Sequence, residues 1–263
     1  MAPRRPASTG TDRHFACTAC GQCCFGWLPL TLEDAFANAG RFPLAMLWTP
    51  VPEQSRVFAL TARLGTLTRL PNRKRIALSV VPTSYIPRTF QCPALSPDNL
   101  CGIQSAKPSR CRAMPFYPYR REEDQLDLLQ PRKGWACDVS PEAPLVYRNG
   151  RIQDRADFDR EREALLAQAP ELRDYADRML ACYPALVGRL QSASQRPTAG
   201  PVAVGFHSFL RQNTHYDAIA FARQQHPLLT DFAARTADAP TLTDYHTFYR
   251  DSAAELAWLA QQA

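Results

Sequence analysis

The sequence predicts an α+β protein: an irregular, cysteine-rich, metal-binding N-terminal half built around a small antiparallel sheet, followed by a helical C-terminal half. Three observations carry this expectation. Eight of the nine cysteines precede residue 138. Stretches of β-branched and apolar residues separated by turn formers lie between residues 55 and 153. From about residue 154 the apolar residues recur at helical spacing with few glycines. Proline adds to the picture: 23 are present, where average usage gives about 13, and many fall between residues 43 and 144. That half is expected to be rich in turns and short pieces.

In chain order, residues 1–13 are basic and polar with no apolar core, so they read as a disordered lead-in and as neither a signal peptide nor an anchor. Residues 14–153 form the expected cysteine-cluster domain. Just after its first four cysteines, "LTLEDAFANAG" reads as a short helix, with Thr31 as its cap, Asp34 at the capping-box position and Gly40 able to end it. "RVFALTARLG" and "RKRIALSVVPTSYI", between residues 55 and 90, read as strands, as do residues 125–130 and 145–153. The last of these is a hairpin turning on Asn149-Gly150.

Residues 154–263 form the expected helical accessory region. Leu172, Tyr175, Ala176, Met179, Leu180, Tyr183, Leu186, Val187 and Leu190 make one apolar stripe, which Pro184 should kink. A polar linker over 191–201 leads to helices near 202–212, 215–236 and 241–261. No repeat of 20–50 residues is present.

Composition narrows the function classes. With 263 residues, 45% of them hydrophobic, the chain can bury a core without staples. The net charge of +6 comes from basic residues scattered among acids, so no nucleic-acid partner is indicated. No apolar run approaches the roughly 18 residues of a membrane span. Without an export signal the expected location is cytoplasmic, where thiols stay reduced and short cysteine spacings favour metal ligation over disulfides.

The cysteines carry the chemistry. Cys17, Cys20, Cys23 and Cys24 obey CxxCxxCC, and CxxC is the spacing at which a tight turn aims two thiolates at one ion. Gly21 after Cys20, and Gly102 after Cys101, suit such turns because glycine accepts unusual dihedrals and lets amides approach sulfur. Adjacent side chains tend to diverge, so Cys23 and Cys24 are more easily explained by two metal positions or a polynuclear cluster than by one mononuclear site. Cys92, Cys101, Cys111 and Cys137 follow beyond the expected sheet, giving eight thiols in all. Eight all-sulfur ligands suit two four-thiolate sites and select zinc or iron–sulfur centres over hard cations.

The surrounding residues allow plainer readings. Between residues 88 and 137, eight basic side chains stand against five acids. Some can offset thiolate charge or face an anionic substrate, although solvated surface is the default for each. Arg112 can orient a ligand or pair with a buried carboxylate. Phe116, Tyr117 and Tyr119 can shield a cluster or simply pack. Cys182 is expected to pack as a small hydrophobe, and His14, three residues before Cys17, is expected not to ligate.

Taken together, CxxCxxCC after an aromatic, then "LTLEDA", then "CPAL…LCGIQ…PSRCRAMPFYP", resembles the YkgJ-type cysteine-cluster family, described as zinc- or iron-chelating proteins. The likeness covers roughly residues 15–140, with the PxxCR element at Pro108–Arg112 a particularly specific part. It implies metal ligation by Cys17, Cys20, Cys23, Cys24, Cys92, Cys101, Cys111 and Cys137. "CPAL…LCGIQ" is also similar to flagellin lysine-N-methylases, which implies methyl transfer from S-adenosylmethionine. The chain departs from that chemistry in having no CxxxCxxC and no glycine-rich cofactor loop.

The leading expectation is therefore a protein holding an iron–sulfur or zinc centre, iron slightly favoured, with a redox or protein-modifying activity in view. The alternatives are a zinc-structured module that binds a protein partner without catalysis, and the methylase-like enzyme. Catalytic residues, substrate and oligomeric state are not legible.

Overall fold

The computed structural model describes residues 12–195 and 200–262. The expected lead-in over 1–13 falls almost wholly outside them, and its last residue, Arg13, already belongs to a strand. In chain order the elements are β1 (Arg13–His14), β2 (Leu28–Pro29), α1 (Leu32–Ala37), β3 (Leu44–Pro52), α2 (Phe58–Leu64), β4 (Thr66–Arg69), β5 (Arg75–Ser84), α3 (Ser109–Arg112), β6 (Leu145–Arg148), β7 (Arg151–Ile152), α4 (Ala156–Cys182), α5 (Pro184–Gln195), β8 (Val202–Gly205), α6 (His207–Leu210), α7 (Ala218–Thr236) and α8 (Thr243–Ala260).

The fold is mixed α+β with antiparallel sheets. In the larger sheet, β5 pairs on one side with β3 and on the other with β2 and β4 at its two ends, and β8 extends the sheet beyond β3. Strand β3 has no counterpart in the sequence reading because Pro50 and Pro52 mask it. It tolerates them because β8 pairs only with Ala45–Trp48. The prolines lie past that stretch, where one side of the strand has no ladder to lose. The smaller sheet, β1-β6-β7, contains the expected hairpin, with Asn149 and Gly150 both at positive φ (49° and 79°), as a two-residue type I′ turn requires.

Four local expectations are corrected. "RVFALTARLG" is helix α2, not a strand: Thr61 and Leu64 are its buried residues, an i,i+3 pattern that places Leu64 against Val81, Tyr119 and Leu165. Packing outweighs the β propensity of its valine, threonine and phenylalanine. Residues 126–129 form a 3₁₀ turn rather than a strand. Fully buried Gln125 holds it by accepting from the Tyr117 amide at 2.8 Å and donating to the Tyr117 carbonyl at 2.9 Å.

Residues 202–205 are strand β8, not helix, so the C-terminal half contributes an edge to the sheet of the first. The linker expected over 191–201 is helical as far as Gln195, and residues 196–199 lie outside those described.

The apolar stripe of the second half is largely as expected. Leu172, Tyr175, Ala176, Met179, Leu186 and Leu190 are buried, while Tyr183 is exposed where Pro184 separates α4 from α5. One core unites both halves: Trp48 and Met46 of β3 pack with Tyr175, Phe209, Phe232 and Tyr249. Gln225 of α7, with no exposed surface, accepts from the Leu44 amide at 2.9 Å and donates to the Phe42 carbonyl at 2.7 Å. That satisfies backbone groups which would otherwise be costly to bury. The cysteine-bearing loops sit at one edge of this core, with Cys92, Phe90 and Ile103 packed against it.

Candidate metal centre

Helix α1 fixes the ground on which the thiols stand. The Thr31 hydroxyl accepts from the Asp34 amide at 3.0 Å and donates to the Asp34 carboxylate at 2.9 Å. That carboxylate does not close the usual reciprocal box. It accepts instead from the Ser109 amide at 3.0 Å, tying α1 to the short helix that carries Cys111.

The first cysteine segment runs between two distant stretches of chain and pairs with both. At its start, Ala16 bridges Asp138 in antiparallel fashion and the Thr18 hydroxyl donates to the Ala136 carbonyl at 2.8 Å. This register sets Cys17 opposite Cys137. At its end, Phe25 bridges Gln91 and the Cys92 amide donates to the Cys24 carbonyl at 2.7 Å, which sets Cys24 opposite Cys92. A third bridge, Leu95 to Cys101, closes the next loop.

The glycines support these turns in two different ways. Gly21 has a φ of 73°, and a Cβ there would come 2.7 Å from the Asn99 side chain, so it provides both the unusual dihedral and the close approach of the two cysteine loops. Gly102 serves approach alone: a Cβ there would come 3.3 Å from the Ala94 carbonyl, to which its amide donates at 2.8 Å.

Sulfur is drawn into the backbone network. The Ala19 amide donates to Cys17 Sγ at 3.4 Å. Hydrogen bonds from the backbone at Ala136, and then Gln22, lower the Cys20 thiol from its ordinary range, because a donor to sulfur favours the thiolate. Cys23 and Cys24 have their sulfurs 4.0 Å apart. The hydrogen bond between them lowers Cys24 and raises Cys23, as expected when one proton is shared.

Burial raises Cys92 and pushes Cys111 up to about 12. Both also feel the charge of Cys101, and Cys111 feels that of Cys92. Burial raises Cys137 too, followed by the charges of Cys20 and Cys17.

All eight expected cysteines, with Cys182, are free thiols. Among the described residues no three His, Cys, Asp or Glu side chains are grouped so as to hold a metal ion as they stand. The donor chemistry nevertheless fits a soft metal. Free sulfurs and sulfur-directed amides are what a thiolate centre uses. A change of χ1 rotamer moves a cysteine sulfur by about 3 Å, which is the scale of adjustment that would draw such a group together.

The neighbouring side chains resolve the alternatives left by the sequence. His14 Nδ1 lies 2.6 Å from the Ala143 carbonyl. Arg112 donates to the carbonyls of Lys107 at 3.0 Å and Ser105 at 2.6 Å, so it braces a loop rather than meeting a carboxylate. Phe116 packs with Leu129, Tyr147, Ile152 and Phe158, and Tyr119 with Leu64, Val81 and Leu165. Both are core residues. Cys182 is exposed and does not pack as a hydrophobe, because it sits on the outer face at the last turn of α4.

Sequence reasoning missed Arg110. Taken as one of several solvated basic residues, it is only 4% exposed. It forms an ion pair with Glu161 of α4 at 3.2 Å, donates to the Phe116 carbonyl and lies over the Tyr117 ring at 5.4 Å. The only available signal was Glu161, an acid on the buried i,i+3/i+4 face defined by Phe158, Leu165 and Ala169.

Compared with known proteins, the chain matches no family model, no curated protein and no solved structure. Among the described residues no helix is long and apolar enough to cross a membrane.

Proposed function

We propose that this chain is a thiolate metal-binding protein in which Cys17, Cys20, Cys23, Cys24, Cys92, Cys101, Cys111 and Cys137 hold an iron–sulfur or zinc centre, as the resemblance to the YkgJ-type family implies. The observation that supports this most is the double pairing of residues 16–25. It brings segments separated by about 70 and 110 residues against the first cysteine run and sets Cys17 opposite Cys137 and Cys24 opposite Cys92. Random placement of reduced cysteines gives no reason for such register. An iron–sulfur centre, when bound, supplies one-electron chemistry or activates a substrate, whereas closed zinc sites supply folding energy.

The test is metal and acid-labile sulfide content, with an absorption spectrum, on full-length protein purified without oxygen. Iron with matching sulfide would establish a cluster and direct the search to redox or protein-modifying activity. Zinc without sulfide would point to a structured module that recognises a partner. Protein that stays metal-free after anaerobic loading with either metal would refute the proposal. Cys23→Ser and Cys24→Ser should each lower the metal content.

A further inference from the structure

The register of the cysteine segments carries more than the presence of a centre. Residues 16–18 lie against 136–138, and residues 24–25 against 91–92. The partner strands therefore enter from different parts of the chain and cover opposite ends of the CxxCxxCC stretch. Cys20 belongs to the first end through its backbone hydrogen bond at Ala136, beside Cys137. Cys101 belongs to the second, on a loop closed by the Leu95 bridge and the Gly102 to Ala94 hydrogen bond.

Cys23 touches Cys24 and stands at the junction.

Resting on the metal-binding reading, we infer that the thiols divide between two adjoining sulfur sites for soft metal ions, one built on Cys17, Cys20 and Cys137 and the other on Cys24, Cys92 and Cys101, with Cys23 and Cys111 completing them to four sulfurs each. The peptide between Cys23 and Cys24 is then the seam between the sites. This gives the adjacent cysteines a task that one mononuclear site does not: each serves a different site. With their sulfurs 4.0 Å apart, the two sites are next-door neighbours rather than independent modules.

The experiment is native mass spectrometry of the full chain after anaerobic loading with zinc, on the wild type and three double variants, with circular dichroism to confirm folding. Cys17→Ser/Cys137→Ser and Cys24→Ser/Cys92→Ser each strike one site. Cys17→Ser/Cys92→Ser strikes both. The assignment expects two zinc ions in the wild type, one in each within-site variant and none in the cross-site variant. Loss of all zinc in both within-site variants, or retention of one ion in the cross-site variant, would overturn the assignment while leaving metal binding intact. A wild type that takes up no zinc, and no iron when reconstituted anaerobically with iron and sulfide, would overturn the metal reading and this assignment with it.

A second measurement needs no variant. Diamide takes two electrons and two protons from a thiol pair to leave a disulfide. On metal-free wild type, peptide mapping should then find Cys17 linked to Cys137 and Cys24 linked to Cys92. Cys17 linked mainly to Cys92 would contradict the division.

Discussion

The two ends of the CxxCxxCC stretch are built differently. Among Cys17, Cys20, Cys23 and Cys137, two thiols, Cys17 and Cys23, are exposed and the other two half-buried. Around Cys24, Cys92, Cys101 and Cys111 no thiol is fully exposed, Cys92 packs against the main core, and positive charge stands close by. Arg41 acts on Cys92, and Arg110 on Cys111. Four thiolates around a divalent ion carry a net negative charge, which nearby cations offset at the cost of their own burial. The inner group is thus joined to the fold, and the outer group is hung on its surface.

This contrast predicts its largest effect in stability. Cys111→Ser and Cys92→Ser should remove metal and loosen the loop that ties α1 to α3, lowering the melting temperature of metal-loaded protein by about 10 °C, equivalent to roughly 3 kcal/mol for a chain of this size. Cys17→Ser should remove metal with a shift of about 2 °C or less. Equal shifts in thermal unfolding would break the contrast.

A comparable effect is expected at the foot of the inner group. Removing one partner of a buried ion pair costs about 3–5 kcal/mol because the other is left uncompensated. Glu161→Leu should therefore destabilise the protein by about 3 kcal/mol in urea unfolding and weaken metal retention by the inner thiols first. Glu161→Gln should cost less. Burial, opposed by Arg110 and reinforced by Asp34, pushes the Glu161 carboxyl up to about 7.

The sign follows from proton binding: the native state holds this proton more tightly than the unfolded chain does. The stability it contributes is complete below the ordinary carboxylate range and is lost as pH rises through about 7. Glu161→Gln should flatten that part of the stability profile, and an unchanged slope would remove Glu161 from it.

A smaller difference is expected in exchange. A chelator reaches surface sulfur more readily than sulfur packed on the core, so EDTA should strip metal in two phases, the faster belonging to Cys17, Cys20, Cys23 and Cys137. Stopped-flow chelation of Cys17→Ser should lack the fast phase. A single phase in the wild type would mean that the two groups share one fate.

Much of this was legible in the sequence, for local reasons. The Thr31 cap, the Asn149-Gly150 turn and the stripe from Leu172 to Leu190 are fixed by short-range stereochemistry and periodicity, and the structure bears them out. What escaped is set by partners far along the chain. Strand β3 is a strand because β5 and β8 accept it despite Pro50 and Pro52. Residues 202–205 join a sheet whose other strands are more than a hundred residues away. Arg110 is buried because Glu161 waits on α4. The close spacing of the cysteines was readable from the sequence, but which of them face one another was not, since that depends on which strand each end of the motif meets.

The smallest expected effect tests the choice of eight thiols. Cys182 is exposed at the end of α4, away from both strand pairings, so Cys182→Ser should leave metal content unchanged and stability within about 0.5 kcal/mol, as for surface substitutions in general. Its reactivity is the sharper probe. Cys17 and Cys23 are exposed as well, so exposure alone makes all three thiols open to a maleimide in metal-free protein. Ligation changes the outcome without changing exposure, because a sulfur bound to metal no longer offers its lone pair to the reagent. Metal-loaded protein should therefore label rapidly at Cys182 alone, and removal of metal should add Cys17 and Cys23. Rapid labelling of all three in loaded protein would place the metal on other ligands. Protection of Cys182 would bring the ninth thiol into the centre.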